Sequence, residues 1–231
     1  MSGCSLAEIR RHPVKSMAGE RLEQAEVDAR GVVGDRWWAV VDTDGRLSSG
    51  KDSRRFRRRD AVFDYAARTV DDHVEVSGRG VSWRVGQAEL DAELSAAMGA
   101  EVAVRAEGGV PHQDAGQVSL VGTASLDWCR EHLGVDGNAR RIRPNLVVAT
   151  EEPFVEESWE GAVLHIGADV ALRVVERIER CRMVDIAQGG LPEQRGWLKS
   201  LGRERYLCLG VYAEVVAPGT LVRGDRLHVV R

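Results

Sequence analysis

A single cysteine, Cys181, stands between two arginines in the segment VVERIERCRMVDIAQGG, residues 174–190. The alternation of apolar and polar residues before it predicts a β-strand that gives way to a loop at the cysteine. Adjacent positive charge favours the thiolate form of a cysteine, and a position at a strand end keeps the sulfur accessible. The pattern therefore predicts a reactive or metal-binding thiolate, because a buried structural cysteine would gain nothing from Arg180 and Arg182. The alternative is a cysteine that merely ends a strand.

Lysine, serine and arginine side chains early in the chain are suited to binding an anion. In the segment RHPVKS, Lys15 and Ser16 follow a proline at a predicted strand end or turn. They could bind a phosphate, with the lysine as a point charge and the serine as a hydrogen-bond donor, or they could form solvated surface. Arg36 follows a Gly-Asp turn and precedes two tryptophans. An arginine at that place either belongs to the turn or is held to reach an anion.

A further pair of polar side chains stands at the start of an apolar run in the second half of the chain. In the segment RRIRPNLVVAT, Arg143 and Asn145 flank Pro144. Proline lacks a backbone donor and suits the first residue of a strand, so the pair is predicted at a strand mouth. A guanidinium is well shaped for phosphate, and an asparagine amide can pair with a heterocyclic amide edge.

The remaining cysteines form no metal or disulfide motif. Cys4, Cys129 and Cys208 are far apart, and no C-x-x-C pair occurs. Cys129 falls on a predicted helical face and Cys208 in an apolar run, which indicates small core residues. A disulfide framework is not expected in a reducing cytosol.

One basic cluster, KDSRRFRRRD, spans residues 51–60. Its single interleaved aromatic residue does not match the spacing of a single-strand nucleic-acid platform. The two interpretations are a solvated edge strand and a surface that recruits an acidic redox partner. His112 and Asp114 stand close together elsewhere, yet no second pair offers a metal site, so both are predicted to be loop residues.

The overall composition is that of a soluble globular chain. Its 231 residues suffice for one large domain or two small domains packed together, and a formal net charge of −4 gives no reason to expect nucleic acid or an anionic membrane as a partner. No run approaches the roughly 18 apolar residues that cross a bilayer. The N-terminus lacks the apolar segment of a signal peptide, so the expected location is the cytoplasm.

Short strand-like runs separated by turn signals dominate the chain, as is typical of sandwiches and barrels. Hairpin turns are predicted at Asp44-Gly45, at Gly78 to Gly80 and at Gly167. The tail is predicted to turn twice, at Pro218-Gly219 and at Gly224-Asp225. Three helices are predicted: Ala88 to Gly99, a second that begins with Thr123 or Ser125 as N-cap and stops at Gly134, and a third from Pro192 to Gly202.

Six short motifs occur in order along the chain: HPVKS, GDRWW, TASL, RIRPN, FVEESW and ERC. Together they resemble the MOSC family, the molybdenum cofactor sulfurase C-terminal-like proteins, and more closely the two-part type in which a MOSC N-terminal β-barrel domain precedes the MOSC domain. The likeness extends from about Ile9 to the closing PGTLVRGDRLHVV. It implies an α+β, mostly β protein with a few short helices. An N-terminal β-barrel-like lobe, residues 1–108, would pack on a MOSC β-barrel domain, residues 109–231, with the molybdenum cofactor (molybdopterin with its metal) in the cleft between them.

The resemblance also implies roles for the residues of these motifs. Cys181 would be the sulfur ligand to molybdenum, and a soft thiolate suits such a metal. The two arginines beside it would keep it ionised and balance an anionic cofactor. The predicted cofactor-binding residues are Lys15, Ser16, Arg36, Thr123, Ser125, Arg143, Asn145 and Arg180, of which Thr123 and Ser125 would offer an anion the hydroxyls and free N–H groups of a helix start.

The leading hypothesis for function is a molybdenum-dependent oxidoreductase that reduces N-hydroxylated or N-oxide compounds, a small-molecule substrate class. No ferredoxin-like cysteine cluster and no nucleotide-binding glycine motif occurs, so electrons would come from a separate ferredoxin, flavoprotein or cytochrome b5-like protein. The alternatives are a sulfur carrier or cofactor-delivery protein that uses Cys181 as a persulfide or transient ligand, and a binding domain without turnover. Many relatives continue with TTVDP after the cysteine, whereas this chain has RMVDIAQGG, so the substrate cannot be transferred from any of them.

Overall fold

Short strands joined by tight turns make up most of the molecule, as the sequence predicts. The structure is a computed structural model that describes residues 4–231. The strands of the first half are β1 (Cys4–Arg11), β2 (Glu20–Leu22), β3 (Gln24–Asp28), β4 (Gly31–Val32), β5 (Trp38–Asp42), β6 (Leu47–Ser49), β7 (Phe56–Arg58), β8 (Ala66–Val70), β9 (His73–Gly78), β10 (Val81–Arg84) and β11 (Val102–Ala106). Those of the second half are β12 (Val118–Gly122), β13 (Leu146–Ala149), β14 (Val163–Ile166), β15 (Val170–Glu179), β16 (Cys208–Ala217), β17 (Gly219–Val222) and β18 (Arg226–Val230). The helices are α1 (Ala88–Met98), α2 (Thr123–Leu133), α3 (Ala139–Ile142) and α4 (Trp197–Arg205).

Seven strands close into a barrel, in the order β13-β12-β16-β15-β14-β18-β1, and β1 pairs back onto β13. Closure leaves the barrel without free sheet edges. Its interior is filled by buried aliphatic side chains such as Leu6, Ile9, Leu120, Leu164 and Leu172. These come from strands whose apolar residues alternate or run continuously, which is the pattern that the sequence shows.

The first strand of the chain, β1, belongs to this barrel and not to a separate amino-terminal unit. β1 pairs with β13 and β18, and β3 pairs with β17 after the predicted turn at Pro218. The domain boundary at residue 108 stays a prediction. Two sheets contain strands from both sides of that residue. Because β1 pairs with β13, the segment that follows β1, which contains Lys15 and Ser16, lies next to the carboxyl-terminal half.

The amino-terminal lobe is built from two small sheets, β11-β5-β6-β7 and β10-β9-β8, with α1 packed against them. Its core includes Val40, Phe63, Val76, Leu90 and Leu94. The predicted hairpins at Gly45, Gly80 and Gly167 are confirmed, and all three glycines have the positive φ that such turns require.

Two of the three predicted helices end where the sequence indicates, because Gly99 and Gly134 adopt left-handed caps with φ of 61° and 67°. The third prediction is wrong in both bounds. α4 begins at Trp197, whose fully buried ring anchors the first turn, and it continues through Gly202 to Arg205. No helix within residues 4–231 is long and apolar enough to cross a membrane.

Candidate active site

A cleft lies where one end of the barrel meets the amino-terminal lobe. Seven of the nine predicted site residues line it, namely Lys15, Ser16, Arg36, Arg143, Asn145, Arg180 and Cys181. They come from both halves of the chain, and the barrel-closing position of β1 is what joins them. Five cationic side chains face two carboxylates in the lining, so the cleft favours an anion.

Cys181 lies two residues beyond the end of β15, where it caps a short 3-10 helix, Arg182–Asp185. Its backbone is still extended, with φ of −118° and ψ of 179°. The thiol is free and half-buried at the cleft. A strand end of this kind presents a sulfur ligand from a rigid support while leaving it accessible.

Arg180 is buried beneath the cleft, where backbone carbonyls hold its guanidinium. Its Nε donates to Leu209 O at 2.8 Å and its Nη1 to Ile142 O at 2.8 Å. Burial lowers the pKa of this arginine, although Tyr212 and the Cys181 thiol oppose that shift. The neighbouring residue Gly210 has φ of 77°, and a Cβ there would lie 2.5 Å from Leu120 O and 3.1 Å from the arginine Nη2. Glycine is therefore needed for this close packing.

Arg182 turns away from the thiol, which corrects the expectation that both flanking arginines act on it. Its Nη1 donates to Asp60 Oδ1 at 2.9 Å and to Gly50 O at 3.2 Å. The hydrogen bonding by Arg182 lowers the pKa of the Asp60 carboxyl, and it outweighs burial, which would raise that pKa. Arg182 thus ties the segment after Cys181 to the amino-terminal lobe.

The buried Lys15 and the more exposed Asp114 form an ion pair across the cleft. The lysine Nζ lies 3.2 Å from Asp114 Oδ2, and Lys51 Nζ lies 3.2 Å from Oδ1. Burial lowers the pKa of Lys15 to about 8, against the pull of Asp114. Burial would raise the pKa of Asp114, but Lys15, Lys51 and Arg36 outweigh it and hold that pKa well below its usual range.

Three lining residues have left-handed backbone: Ser16 with φ of 69°, Arg36 with 55° and Arg143 with 55°. Non-glycine residues in this region cost on the order of 1 kcal/mol each, and such costs concentrate at functional sites. Ser16 Oγ donates to Ser48 O at 3.1 Å. Each turn is thus fixed by its surroundings and aims a polar residue at the cleft.

Arg36 and Arg143 are packed against one another, and Arg143 is short of partners. Arg36 pairs through Nη1 with Asp35 and donates from Nη2 to the Arg143 carbonyl at 3.2 Å. Arg143 is buried, and its Nη2 has no hydrogen-bond partner among the described residues. Burial, and then the charge of Arg36, lower the pKa of Arg143 to about 9. A buried guanidinium with an unsatisfied donor is what an incoming anion would complete.

Asn145 lines the cleft, but its amide mainly joins barrel strands. Its Oδ1 accepts from the Ser119 N–H at 3.1 Å and from Ser119 Oγ at 3.0 Å. Its Nδ2 lies 3.4 Å from Arg10 O. Pairing of this amide with a heterocycle stays a prediction.

Thr123 and Ser125 do not line the cleft, and their assignment as cofactor-binding residues stays a prediction. The N-cap of α2 is Gly122, and its N–H donates to Glu156 Oε1 at 3.0 Å. Ser125 Oγ donates to the same carboxylate at 2.7 Å, and Thr123 Oγ1 accepts from the Thr150 N–H at 3.0 Å. The anion at this helix start is the protein's own Glu156, so both hydroxyls are already used.

Sequence reasoning missed several polar residues of the cleft, among them Lys51, Asp114 and Tyr212. Lys51 belongs to the basic cluster, and Asp114 to a segment predicted as a plain loop. Burial raises the pKa of the Tyr212 hydroxyl, with Asp114 adding to the rise. No local pattern marks these residues, although Asp114 belongs to the glycine-containing segment 106–116, which the sequence predicts as the seam between the halves.

The fold and the cleft define a two-lobed β-barrel protein with an accessible thiol beside a cationic wall. Family models agree with this architecture: a MOSC domain matches residues 107–228, and a MOSC N-terminal beta barrel domain matches residues 4–136. The chain belongs to the MOSC family. The family is associated with the molybdenum cofactor, so the chain has a molybdenum-cofactor-related function at that level.

Similar proteins extend over the whole chain at low identity. Mitochondrial amidoxime-reducing component 1 of Mus musculus is 22% identical, over 98% of this chain and 82% of its own length. The crystal structure of the YUAD protein from Bacillus subtilis has a TM-score of 0.58 at 14% identity and covers 98% of this chain and 95% of its own. The first similarity supports oxidoreductase activity at the level of the family, and the second supports the fold.

Proposed function

We propose that this chain holds a molybdenum-pterin cofactor in the cleft, with Cys181 as its sulfur ligand. We further propose that it reduces N-hydroxylated or N-oxide compounds with electrons from a separate donor protein. The observation that carries the proposal is the convergence of Cys181, Lys15, Arg36 and Arg143 on one cleft, although they lie in separate segments of the chain.

The residues present fit the cofactor's chemistry. A thiolate is the kind of ligand that a thiophilic metal prefers, and Cys181 is the thiol that lines the cleft. Arg143 Nη2, which has no partner among the described residues, suits a phosphate oxygen. Lys15 also suits a phosphate, because it shares the one carboxylate of Asp114 with Lys51. When bound, the cofactor would supply two-electron chemistry for removing an oxygen atom from nitrogen.

The chain's own residues would position the cofactor and hold protons. Arg143 and Arg36 would bind the phosphate. Lys15 would also bind it, either in place of Asp114 or together with Asp114. Lys15 keeps a proton on Nζ at neutral pH, since its pKa is about 8. Arg180, held by carbonyl groups below the thiol, would balance negative charge on the sulfur.

The substrate class rests on the name of the mouse relative, which reduces amidoximes, and on the family resemblance. The electron donor would be a ferredoxin, a flavoprotein or a cytochrome b5-like protein. Lys51 and Arg55 at the cleft rim offer positive charge to an acidic donor.

Protein produced in a cofactor-synthesising host tests the proposal. We expect about one molybdenum and one pterin per chain, and viologen-driven reduction of an amidoxime or hydroxylamine to the amine. Cys181→Ser should abolish turnover and change the molybdenum absorption-edge spectrum. Cys208→Ser is the matched control, because that thiol is also free and half-buried but does not line the cleft.

The sulfur-carrier alternative gives a different result in the same experiment. A carrier would show a persulfide on Cys181 by mass spectrometry, no retained pterin and no turnover on any N-hydroxylated or N-oxide substrate. Equal metal content and an unchanged edge spectrum in wild type and Cys181→Ser would reject the ligand assignment.

A further inference from the structure

A second cavity, of about 830 Å³, lies between the lobes and does not include Cys181 in its lining. One wall comes from the amino-terminal lobe at residues 63–66 and 77–82. The opposite wall is the loop Ala187 to Leu191, which lies beyond the 3-10 helix that follows Cys181. Arg143 lines both this cavity and the cleft. The volume lies within the range of small-molecule sites.

Two residues that line this cavity, His12 and Gln188, carry buried polar atoms without partners among the described residues. His12 is 2% exposed, one of its ring nitrogens faces the Pro144 carbonyl, and the ring is otherwise without a hydrogen-bond partner in the described chain. Gln188 is 4% exposed and donates from Nε2 to Met183 O at 2.6 Å, and its Oε1 has no partner in the part of the chain that the structure describes. Buried polar groups are normally hydrogen-bonded, so unsatisfied ones that line a cavity point to a ligand.

The lining combines positive charge with an apolar surface. It includes three arginines and a single carboxylate, that of Asp64. Arg10 is paired with Glu8 at 2.6 Å, whereas Arg140 uses Nη1 on the Gly189 carbonyl at 3.0 Å. The apolar part is formed by Phe63, Tyr65, Val81 and Leu191. The His12 ring is neutral, because burial and the arginines around it hold its pKa well below the usual value.

Two glycines let the walls come together. A Cβ at Gly19 would lie 2.2 Å from Arg11 O and 2.5 Å from the His12 ring, and a Cβ at Gly78 would lie 2.4 Å from the Tyr65 ring. Neither site could carry a side chain without displacing a wall. The cavity is therefore shaped by the sequence on both sides of the lobe junction.

We propose that this cavity is a second ligand site, which takes a small organic carboxylate with an apolar body and a hydrogen-bond-donating substituent. The carboxylate would bind Arg140 and Arg143, whose planar forks match it. The donor would satisfy Gln188 Oε1, and the apolar body would lie against Phe63 and Leu191. The proposal does not depend on cofactor chemistry, because every contact except that of Arg143, which lines both sites, comes from residues outside the thiol's cleft.

Ligand-observed NMR on the full chain without cofactor tests it with matched probes. We expect para-hydroxyphenylacetate to bind and tyramine, which has a similar body with an ammonium in place of the carboxylate, not to bind. Phenylacetate lacks the donating hydroxyl and should bind several-fold more weakly. Equal binding of tyramine, or no binding of para-hydroxyphenylacetate or para-hydroxybenzoate, would overturn the proposal.

Variants locate the binding. Ser82→Trp should block the cavity from its exposed rim, while Arg84→Trp, on the same strand outside the lining, should leave binding intact. Arg140→Gln should weaken binding roughly threefold or more, as expected for an exposed charge, and Arg130→Gln on α2 should not. Lys15→Met should preserve binding, because Lys15 lines only the cleft. Loss of binding in Lys15→Met with no effect of Ser82→Trp would place the carboxylate in the cleft and reject a second site.

Discussion

At the scale of single residues, Arg143 combines two costs that the free protein bears. Its backbone is left-handed, and its buried Nη2 lacks a hydrogen-bond partner within residues 4–231. Both costs are understandable if an anion completes the site, since binding residues are often held in conformations that stability alone would not select. A substitution at Arg143 can therefore show whether the residue serves binding or stability.

Replacement of Arg143 by glycine should move stability and binding in opposite directions. Glycine accepts a φ of 55° without strain and removes a buried, partly unsatisfied charge. We expect the free energy of unfolding of the free protein to stay equal or rise. Pterin retention should fall about tenfold or more, as for loss of a charge-assisted contact. Denaturation by urea and pterin analysis measure the two effects, with Arg130→Gly as an exposed control. A fall in stability with unchanged pterin would make Arg143 structural.

The depressed pKa of Lys15 predicts a pH dependence with a defined sign. Its pKa falls from 10.5 to about 8 on folding, so between these values the unfolded chain binds more protons than the folded chain. Stability then rises with pH in this window. Relative to Lys15→Met, the wild type should gain on the order of 2 kcal/mol between pH 8 and 10. Urea denaturation across that range checks it, and a constant difference between the two proteins would contradict it.

Anion binding in the cleft should carry the opposite signature. A phosphate beside Lys15 raises the pKa of the ammonium, so binding takes up a proton above pH 8 and weakens as pH rises. Residue type and turn context marked Lys15, Arg36 and Arg143 as possible anion ligands, with solvated surface and a turn role as the alternatives for the first two. It could not indicate Asp114, because the ion pair joins residues about a hundred positions apart and no local pattern encodes it.

At the scale of elements, two glycines near helix ends distinguish the observed bounds from those predicted. Gly134 caps α2 with φ of 67°, whereas Gly202 lies inside α4. A Cβ at Gly202 would meet only the flexible Leu207 side chain, at 3.1 Å. The third helix was misplaced because Pro192 and Gly202 imitate start and stop signals, while the buried ring of Trp197 decides the start.

Alanine at these glycines should therefore have different effects. Gly134→Ala should destabilise the protein by about 1 kcal/mol, because alanine is strained at positive φ. Gly202→Ala should be neutral or stabilising by up to about 1 kcal/mol, since alanine is the better helix former. Thermal and urea denaturation give both values. Equal destabilisation by the two changes would indicate that the helix ends at Gly202, as the sequence predicts, and does not continue through it.

At the scale of the whole molecule, the closed barrel takes one of its seven strands from the amino terminus. Turn signals and alternation predicted the strands and the hairpins, since both depend on neighbouring residues. They could not predict that β1 pairs with β13 and β18, because such pairing depends on the register of distant segments. For the same reason the helix start at Thr123 looked free for an anion, although Glu156 from a later segment fills it.

This arrangement predicts how the chain behaves when it is divided at the seam. The fragment 109–231 lacks β1, so β13 and β18 would expose unpaired edges and the barrel would lose Leu6 and Ile9 from its core. We expect this fragment alone to show no cooperative thermal unfolding. The same fragment joined through a flexible linker to residues 1–34, which contain β1 to β4, should regain a cooperative transition and dispersed NMR spectra. Full chain cut by protease between residues 107 and 112 should stay associated on gel filtration. Independent folding of 109–231 would show instead that β1 is dispensable and that the boundary at residue 108 divides two autonomous domains.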